Sequence, residues 1–204
     1  MAHMMLSLQH RDCHNINLVT PTHVVPQVLE ALEPAIAGGL KIPLVYNCGG
    51  YESVETLQLL DGIVDIYMPD MKYADSSIAH QYSDVEDYAE INRAAVKEMH
   101  RQVGDLQIND QGTALRGLLV RHLVLPHGLA GTEKTAEFLA EQVSFNTYVN
   151  VMVQYHPCHR AHDFPELSRA VTSEEYLEAV TSVLQHGLTR LDQLQFPRVA
   201  RVSF

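Results

Sequence analysis

Apolar residues along the chain alternate between short β-rich runs and longer stretches at helical spacing. The strand-like runs are 15–19 (NINLV), 42–46 (IPLVY), 62–68 (GIVDIYM), 118–125 (LLVRHLVL) and 148–153 (YVNVMV). Between them, helical spacing predicts helices over 25–36, 53–60, 88–103, 132–143 and 172–185. Gly38-Gly39 and Gly187 supply stops, and Ser53 is placed to cap the second helix. Residues 4–11 read as the tail of a helix, 69–87 as a long polar connection, and LQINDQGTALRG as a small hairpin around Asp110-Gln111-Gly112.

Strand then helix, repeated about five times with apolar strands, predicts an α/β fold of parallel strands with right-handed helical crossovers. An open doubly wound sheet and a (β/α) barrel of the TIM type both satisfy the pattern. No G-x-G-x-x-G turn follows any strand, so a dinucleotide fold has no positive support. In either architecture ligands gather at the carboxyl ends of the strands.

Composition narrows the functional classes. Of 204 residues, 46% are apolar and 19% charged, as in ordinary globular proteins. A formal charge of −11 argues against a nucleic-acid groove, which needs clustered Lys and Arg. No apolar run predicts a membrane helix and no signal peptide is visible. Cys13, Cys48 and Cys158 are odd in number and far apart, which predicts no disulfide framework and a cytoplasmic location. The opening MAHM reads as a cloning scar (1–4), leaving one domain over 5–191 and a tail over 192–204.

Polar residues stand at every predicted strand end: Thr20-Pro21-Thr22-His23, Asn47-Cys48-Gly49-Gly50, Pro69-Asp70-Met71-Lys72, Pro126-His127-Gly128 and Gln154-Tyr155-His156, with Arg121 and His122 inside the fourth strand. Taken singly, such residues are often caps or turn formers. Together they describe a mouth able to hold a zwitterionic or polyhydroxylated small molecule.

The runs VYNCGG, YMPDMKY, RHLVLP and QYH, in that order, resemble the radical S-adenosylmethionine enzymes related to pyruvate formate-lyase activating enzyme. By that resemblance Asp70-Met71-Lys72 matches a D-x-K that meets the adenosylmethionine and its sugar. Arg121, opening an R-x-x-V-x-P run, reaches the cofactor region, and Asn47 matches a T-N-G turn. Gln154, Tyr155 and His156 match a P-Y-H on the adenine side. The resemblance implies S-adenosylmethionine and a [4Fe–4S] cluster as cofactors. It also implies a 5′-deoxyadenosyl radical as hydrogen-atom abstractor, a glycyl-radical enzyme as partner, and a flavodoxin or ferredoxin as electron donor.

Two departures shape the expectation. The family's C-x-x-x-C-x-x-C, whose thiolates hold the cluster, is missing from this sequence. Its Gly-Gly-Glu, which binds the methionine amino group, is replaced by Thr20, Thr22 and His23. The chain is therefore expected to be the C-terminal part of such an enzyme and a partial (β/α) barrel. It should carry no catalytic residue or metal ligand of its own and be inactive alone. Its open edge, on the side of the missing first strand, is a candidate for pairing into a dimer.

Other chemistries stay open. His156, Cys158, His159 and His162 in QYHPCHRAH offer zinc-like ligands to a metal-dependent hydrolase, although no known spacing is matched. A non-catalytic small-molecule-binding barrel is a third reading. Lys72 suggests a Schiff-base lysine, and Cys48 a reactive thiol or a small apolar filler.

Overall fold

The computed structural model describes residues 1–192, so the expected tail (192–204) lies outside it but for its first residue. In chain order the elements are α1 (Ala2–His10), β1 (Ile16–Val19), α2 (Val25–Ala37), β2 (Leu44–Cys48), α3 (Val54–Gln58) and β3 (Ile66–Met71). There follow α4 (Ser76–Ser83), α5 (Tyr88–Val103), β4 (Gln107–Ile108), β5 (Ala114–Leu123), α6 (Thr132–Gln142), β6 (Tyr148–Met152) and α7 (Ser173–Gln185). The protein is α/β, with a mostly parallel sheet and helical crossovers. Among the described residues no helix is long and apolar enough to cross a membrane.

The chain divides into two compact units, Met1–Asp70 with Ile91–Val120, and Met71–Glu90 with Arg121 onward. In the first, the strand order is β1-β2-β3-β5-β4. β1 runs parallel to β2 with Ile16 beside Leu44, and β2 parallel to β3 with Val45 beside Ile66. All five β2 residues are buried, as expected of a strand covered on both faces. Met5, Ile16, Val28, Leu32, Ala35 and Leu44 form a core under α1 and α2. Gln9 pins α1 there: its Oε1 accepts from Lys41 N at 2.7 Å and its Nε2 donates to the Gly39 carbonyl at 2.9 Å. On α5, Gln102 accepts from Tyr67 Oη at 2.7 Å and donates to the Leu57 carbonyl at 2.8 Å, which fastens the helix beneath β3 and α3.

In the second unit β6 pairs with the end of β5, and α6 packs on α7. A capping box opens α7, with Thr172 Oγ1 accepting from Glu175 N and the Glu175 carboxylate accepting from Thr172 N. Such a reciprocal cap satisfies donors that a helix start otherwise leaves bare.

Most expected elements are present, and three differ. The expected strand over 62–68 lies later, as β3 (Ile66–Met71). Ile63 and Val64 instead close a turn onto the Leu60 carbonyl. Pro69 and Asp70 therefore lie inside the strand, with Pro69 beside Cys48 in the last pair of the β2–β3 register. The polar connection over 69–87 contains α4, whose start is capped by Asp75 accepting from Ser77 N at 2.9 Å. The hairpin forms as β4 against β5, but its second arm runs straight into the strand expected from 118, so β5 begins at Ala114.

Candidate functional site

In the first unit three strand ends carry polar groups, buried after β2 and on β3 and exposed after β1. Parallel pairing sets Val19 beside Asn47 and Asn47 beside Met68, so the ends of β1, β2 and β3 stand level. Past β1, Thr20 adopts a left-handed conformation, φ 50° and ψ 53°, and its N–H donates to the Asn47 carbonyl at 2.7 Å. Thr20, Thr22 and His23 are exposed, whereas Asn47 and Asp70 are buried. Glu52, also buried, accepts from Thr22 Oγ1 at 2.7 Å and from Tyr46 Oη at 2.9 Å.

Burial, reinforced by the Glu52 carboxylate, pushes the Tyr46 hydroxyl and the Cys48 thiol well above their ordinary ranges. Both stay protonated at neutral pH. A nucleophilic Cys48 needs the opposite environment, a nearby cation, so the reactive-thiol reading loses its basis. Cys48 is a buried strand residue, 2% exposed.

Gly50 and Asp70 are tied together by Asn92. This fully buried α5 side chain donates from Nδ2 to the Gly50 carbonyl at 3.0 Å and to the Asp70 carbonyl at 2.9 Å. Gly50 sits at φ +76°, and a Cβ there would lie 2.2 Å from the Asp70 oxygen and 2.3 Å from Asn92 Nδ2. Only glycine fits that approach. The loop after β2 is thus locked against β3 through backbone carbonyls, which leaves the Asp70 side chain out of the clamp.

In the second unit, Lys72 follows β3 directly, half-buried, with its N–H donating to Tyr88 Oη at 3.2 Å. It stands outside the strand, which does not favour a Schiff-base lysine held within a barrel strand. Arg121 is half-buried on β5. Its neighbour His122 is 1% exposed, with Nδ1 2.8 Å from the Met71 carbonyl and Nε2 2.9 Å from Thr132 Oγ1. The carbonyl can only accept, so Nδ1 carries the hydrogen and Nε2 accepts from the threonine. Burial holds this imidazole neutral, its pKa lowered to about 4.

Beyond β6, Gln154 and His156 are exposed and Tyr155 is half-buried, its hydroxyl donating to the Leu167 carbonyl at 2.7 Å. Tyr155 and His156 share a recess of about 240 Å³ with Tyr73, Tyr82, Cys158 and Phe164. Tyr82 and Phe164 meet edge to face, with ring centroids 5.1 Å apart. This unit therefore gathers Tyr155 and His156 beside the aromatic residues that follow β3.

Cys158, His159 and His162 are exposed, and no group of three His, Cys, Asp or Glu among the described residues is arranged to hold a metal ion. The hydrolase reading gains nothing from this loop. Cys13 is half-buried and Cys158 exposed, and each lies in a different unit.

Sequence reasoning passed over Glu52 and Asn92, and it placed His122 inside the fourth strand without giving it a role. Glu52 and Asn92 follow no strand directly, and a lone polar residue on a helical pattern gives no sign of facing inward. His122 gave a weak signal, a histidine inside an apolar run, which most often marks a satisfied core residue.

The chain matches no protein-family model. It is 32% identical over 177 residues to "Uncharacterized protein MJ0674" of Methanocaldococcus jannaschii, an alignment covering 85% of this chain and 47% of that protein. The chain thus spans about half the length of this curated relative. Among solved structures, a domain of pyruvate-formate lyase-activating enzyme from Bacteroides vulgatus is similar in fold. It has a TM-score of 0.59 and 14% identity, and the match covers 87% of this chain and 96% of that one.

Proposed function

We propose that this chain is the C-terminal part of a radical S-adenosylmethionine enzyme of the activating-enzyme type. One observation carries the reading. The residues of every resembling motif lie at or just past the carboxyl ends of β2, β3, β5 and β6, in a fold shared with an activating-enzyme domain.

The residues present fit adenosylmethionine better than they fit the iron–sulfur cluster. A [4Fe–4S] cluster needs convergent thiolates. Here Cys48 is buried and held protonated, and Cys13 and Cys158 lie in separate units. The cluster therefore belongs to a segment of the full protein outside this sequence, and this chain alone is inactive. Adenosylmethionine, when bound, would supply a sulfonium that one electron from a reduced cluster could cleave to a thioether and a carbon-centred radical able to take a hydrogen atom from a substrate.

What this chain contributes is binding and orientation. Asp70, buried on β3, offers carboxylate oxygens to sugar hydroxyls, and Asn47 an amide at the level strand end. The Thr22 hydroxyl spends its hydrogen on Glu52, so its remaining lone pairs can accept, which an ammonium group requires. Thr20 and His23 are exposed beside it. Lys72 and Arg121 supply positive charge toward a carboxylate. Tyr155 and His156 present an aromatic and imidazole surface to a planar base, and the exposed Gln154 offers an amide next to them in the chain. The expected partners are a glycyl-radical enzyme as hydrogen donor and a flavodoxin or ferredoxin as reductant.

The test is the natural reading frame upstream of Met5. The proposal expects it to continue in frame, through a β-like run, into C-x-x-x-C-x-x-C. A natural start codon at Met4 or Met5 with no such triplet before it overturns the proposal.

A further inference from the structure

A recess of about 520 Å³ in the second unit has no part in the proposed cofactor site. It is a groove between α4, the segment after β5, the start of α6 and one side of α7 from Glu175 to Ser182. Its floor is apolar, built from Ile78, Val124, Leu125 and Leu129, and a volume of this order suits a ligand of several residues or a drug-sized molecule.

The rim is acidic. Asp75, Glu133, Glu175 and Glu178 line the groove against a single lining cation, Lys134. Two of the four carboxylates are already answered: Arg169 forks onto Glu175 at 2.7 and 2.8 Å, and Lys134 Nζ lies 3.6 Å from Asp75. Arg169 also donates to His127 Nε2 at 3.1 Å, so that ring nitrogen is the acceptor. Glu133 and Glu178 have no ion-pair partner among the described residues. Two uncompensated carboxylates over an apolar floor complement a ligand that is both cationic and apolar.

A second feature separates the classes of cationic ligand. Gly131, in the left-handed region at φ 69°, precedes α6 with no side-chain cap. The N–H groups of Thr132, Glu133 and Lys134 therefore have no intrahelical acceptor, and all three residues line the groove. A polyamine carries only donors and cannot answer them. A peptide carries backbone carbonyls as well as Lys or Arg side chains.

We infer that this groove docks a basic, amphipathic peptide segment of a protein partner, with apolar side chains on the floor, cationic side chains on Glu133 and Glu178, and backbone carbonyls at the start of α6. The inference stands apart from the cofactor reading, since none of the proposed cofactor residues lines the groove.

The test uses a fluorescein-labelled peptide of alternating Lys and Leu, titrated with the whole chain at low salt and read by anisotropy. Saturable binding is expected, weakened about fivefold or more in the Glu133→Gln/Glu178→Gln double variant, consistent with two partly exposed ion pairs. The control double variant Glu30→Gln/Glu33→Gln removes the same charge from exposed α2 positions and should bind as the parent does. Equal loss in both variants, equal binding of a Glu/Leu peptide, or no saturable binding overturns the inference. Displacement of the peptide by spermine at matching affinity overturns it in favour of a polyamine site.

Discussion

The two units treat their polar strand-end residues in opposite ways. In the first, Glu52, Asn92 and the Asp70 backbone lie inside, each bonded to another element: carboxylate to two hydroxyls, amide to two carbonyls. In the second, Gln154 and His156 stand exposed at the end of β6, while the His122 imidazole on β5 is buried. A buried polar group costs stability when it loses a partner, whereas an exposed one is free to change partners at little cost. The first unit's end is therefore a rigid frame and the second's an adaptable surface. Substitutions should separate the two by how far each effect falls on folding or on binding.

The largest effect on folding is expected at Gly50. Gly50→Ala forces a Cβ to within 2.2 Å of the Asp70 carbonyl in left-handed backbone. Strain and overpacking together should cost about 4 kcal/mol. Gly128, in the second unit at φ +66°, has nothing within 4 Å of its would-be Cβ, so Gly128→Ala should cost only about 1 kcal/mol. Urea unfolding of the two variants measures the contrast directly. Equal losses would mean that the Asn92 clamp does not hold the strand ends.

Next comes His122, buried in the second unit. Its folded pKa is lowered to about 4 by burial, against 6.5 when free. Between those values the unfolded chain binds more protons than the folded one, so stability rises with pH across the window. The full contribution is present above pH ~6.5 and is lost as pH falls toward ~4, a loss on the order of 3 kcal/mol. His122→Asn removes the titration and should flatten this part of the stability profile. A parent profile already flat over the window would show that the imidazole charges as readily in the fold as outside it.

How far this was legible in the sequence differs between fold and site. The helix over 88–103 and the start of α7 were readable because apolar spacing and local caps act within a few residues. The register of β3 was not. Ile63 and Val64 look like strand residues, and only packing decides that they close a turn under Leu60. α4 hid because its stability rests on the Asp75 cap and on Ala79, its one buried residue, not on a long apolar stripe. The strand-end residues were readable as positions, since an α/β chain must bring them to one end of its strands. Their roles were not, because burial separates Asn47 and Asp70 from Thr20 and His23, and burial depends on residues far along the chain. Glu52 and Asn92 show the limit most clearly: each bonds groups up to 30 and 42 residues away.

The smallest effect on folding, and the sharpest test of the contrast, is expected at His156. The side chain is exposed, and its ring nitrogen lies 3.4 Å from the Gln154 carbonyl, too long to contribute much. His156→Ala should leave the urea midpoint unchanged, within about 0.5 kcal/mol. If the surface after β6 meets the adenine side of adenosylmethionine, the same variant should weaken binding of that molecule several-fold in equilibrium dialysis. Tyr155→Phe gives the complementary case, since its hydroxyl hydrogen is spent on the Leu167 carbonyl and is not donated to a ligand. That variant should cost about 1 kcal/mol of stability and leave affinity unchanged. Loss of affinity in Tyr155→Phe together with none in His156→Ala would reverse the assignment, making the hydroxyl the ligand contact and the imidazole a bystander.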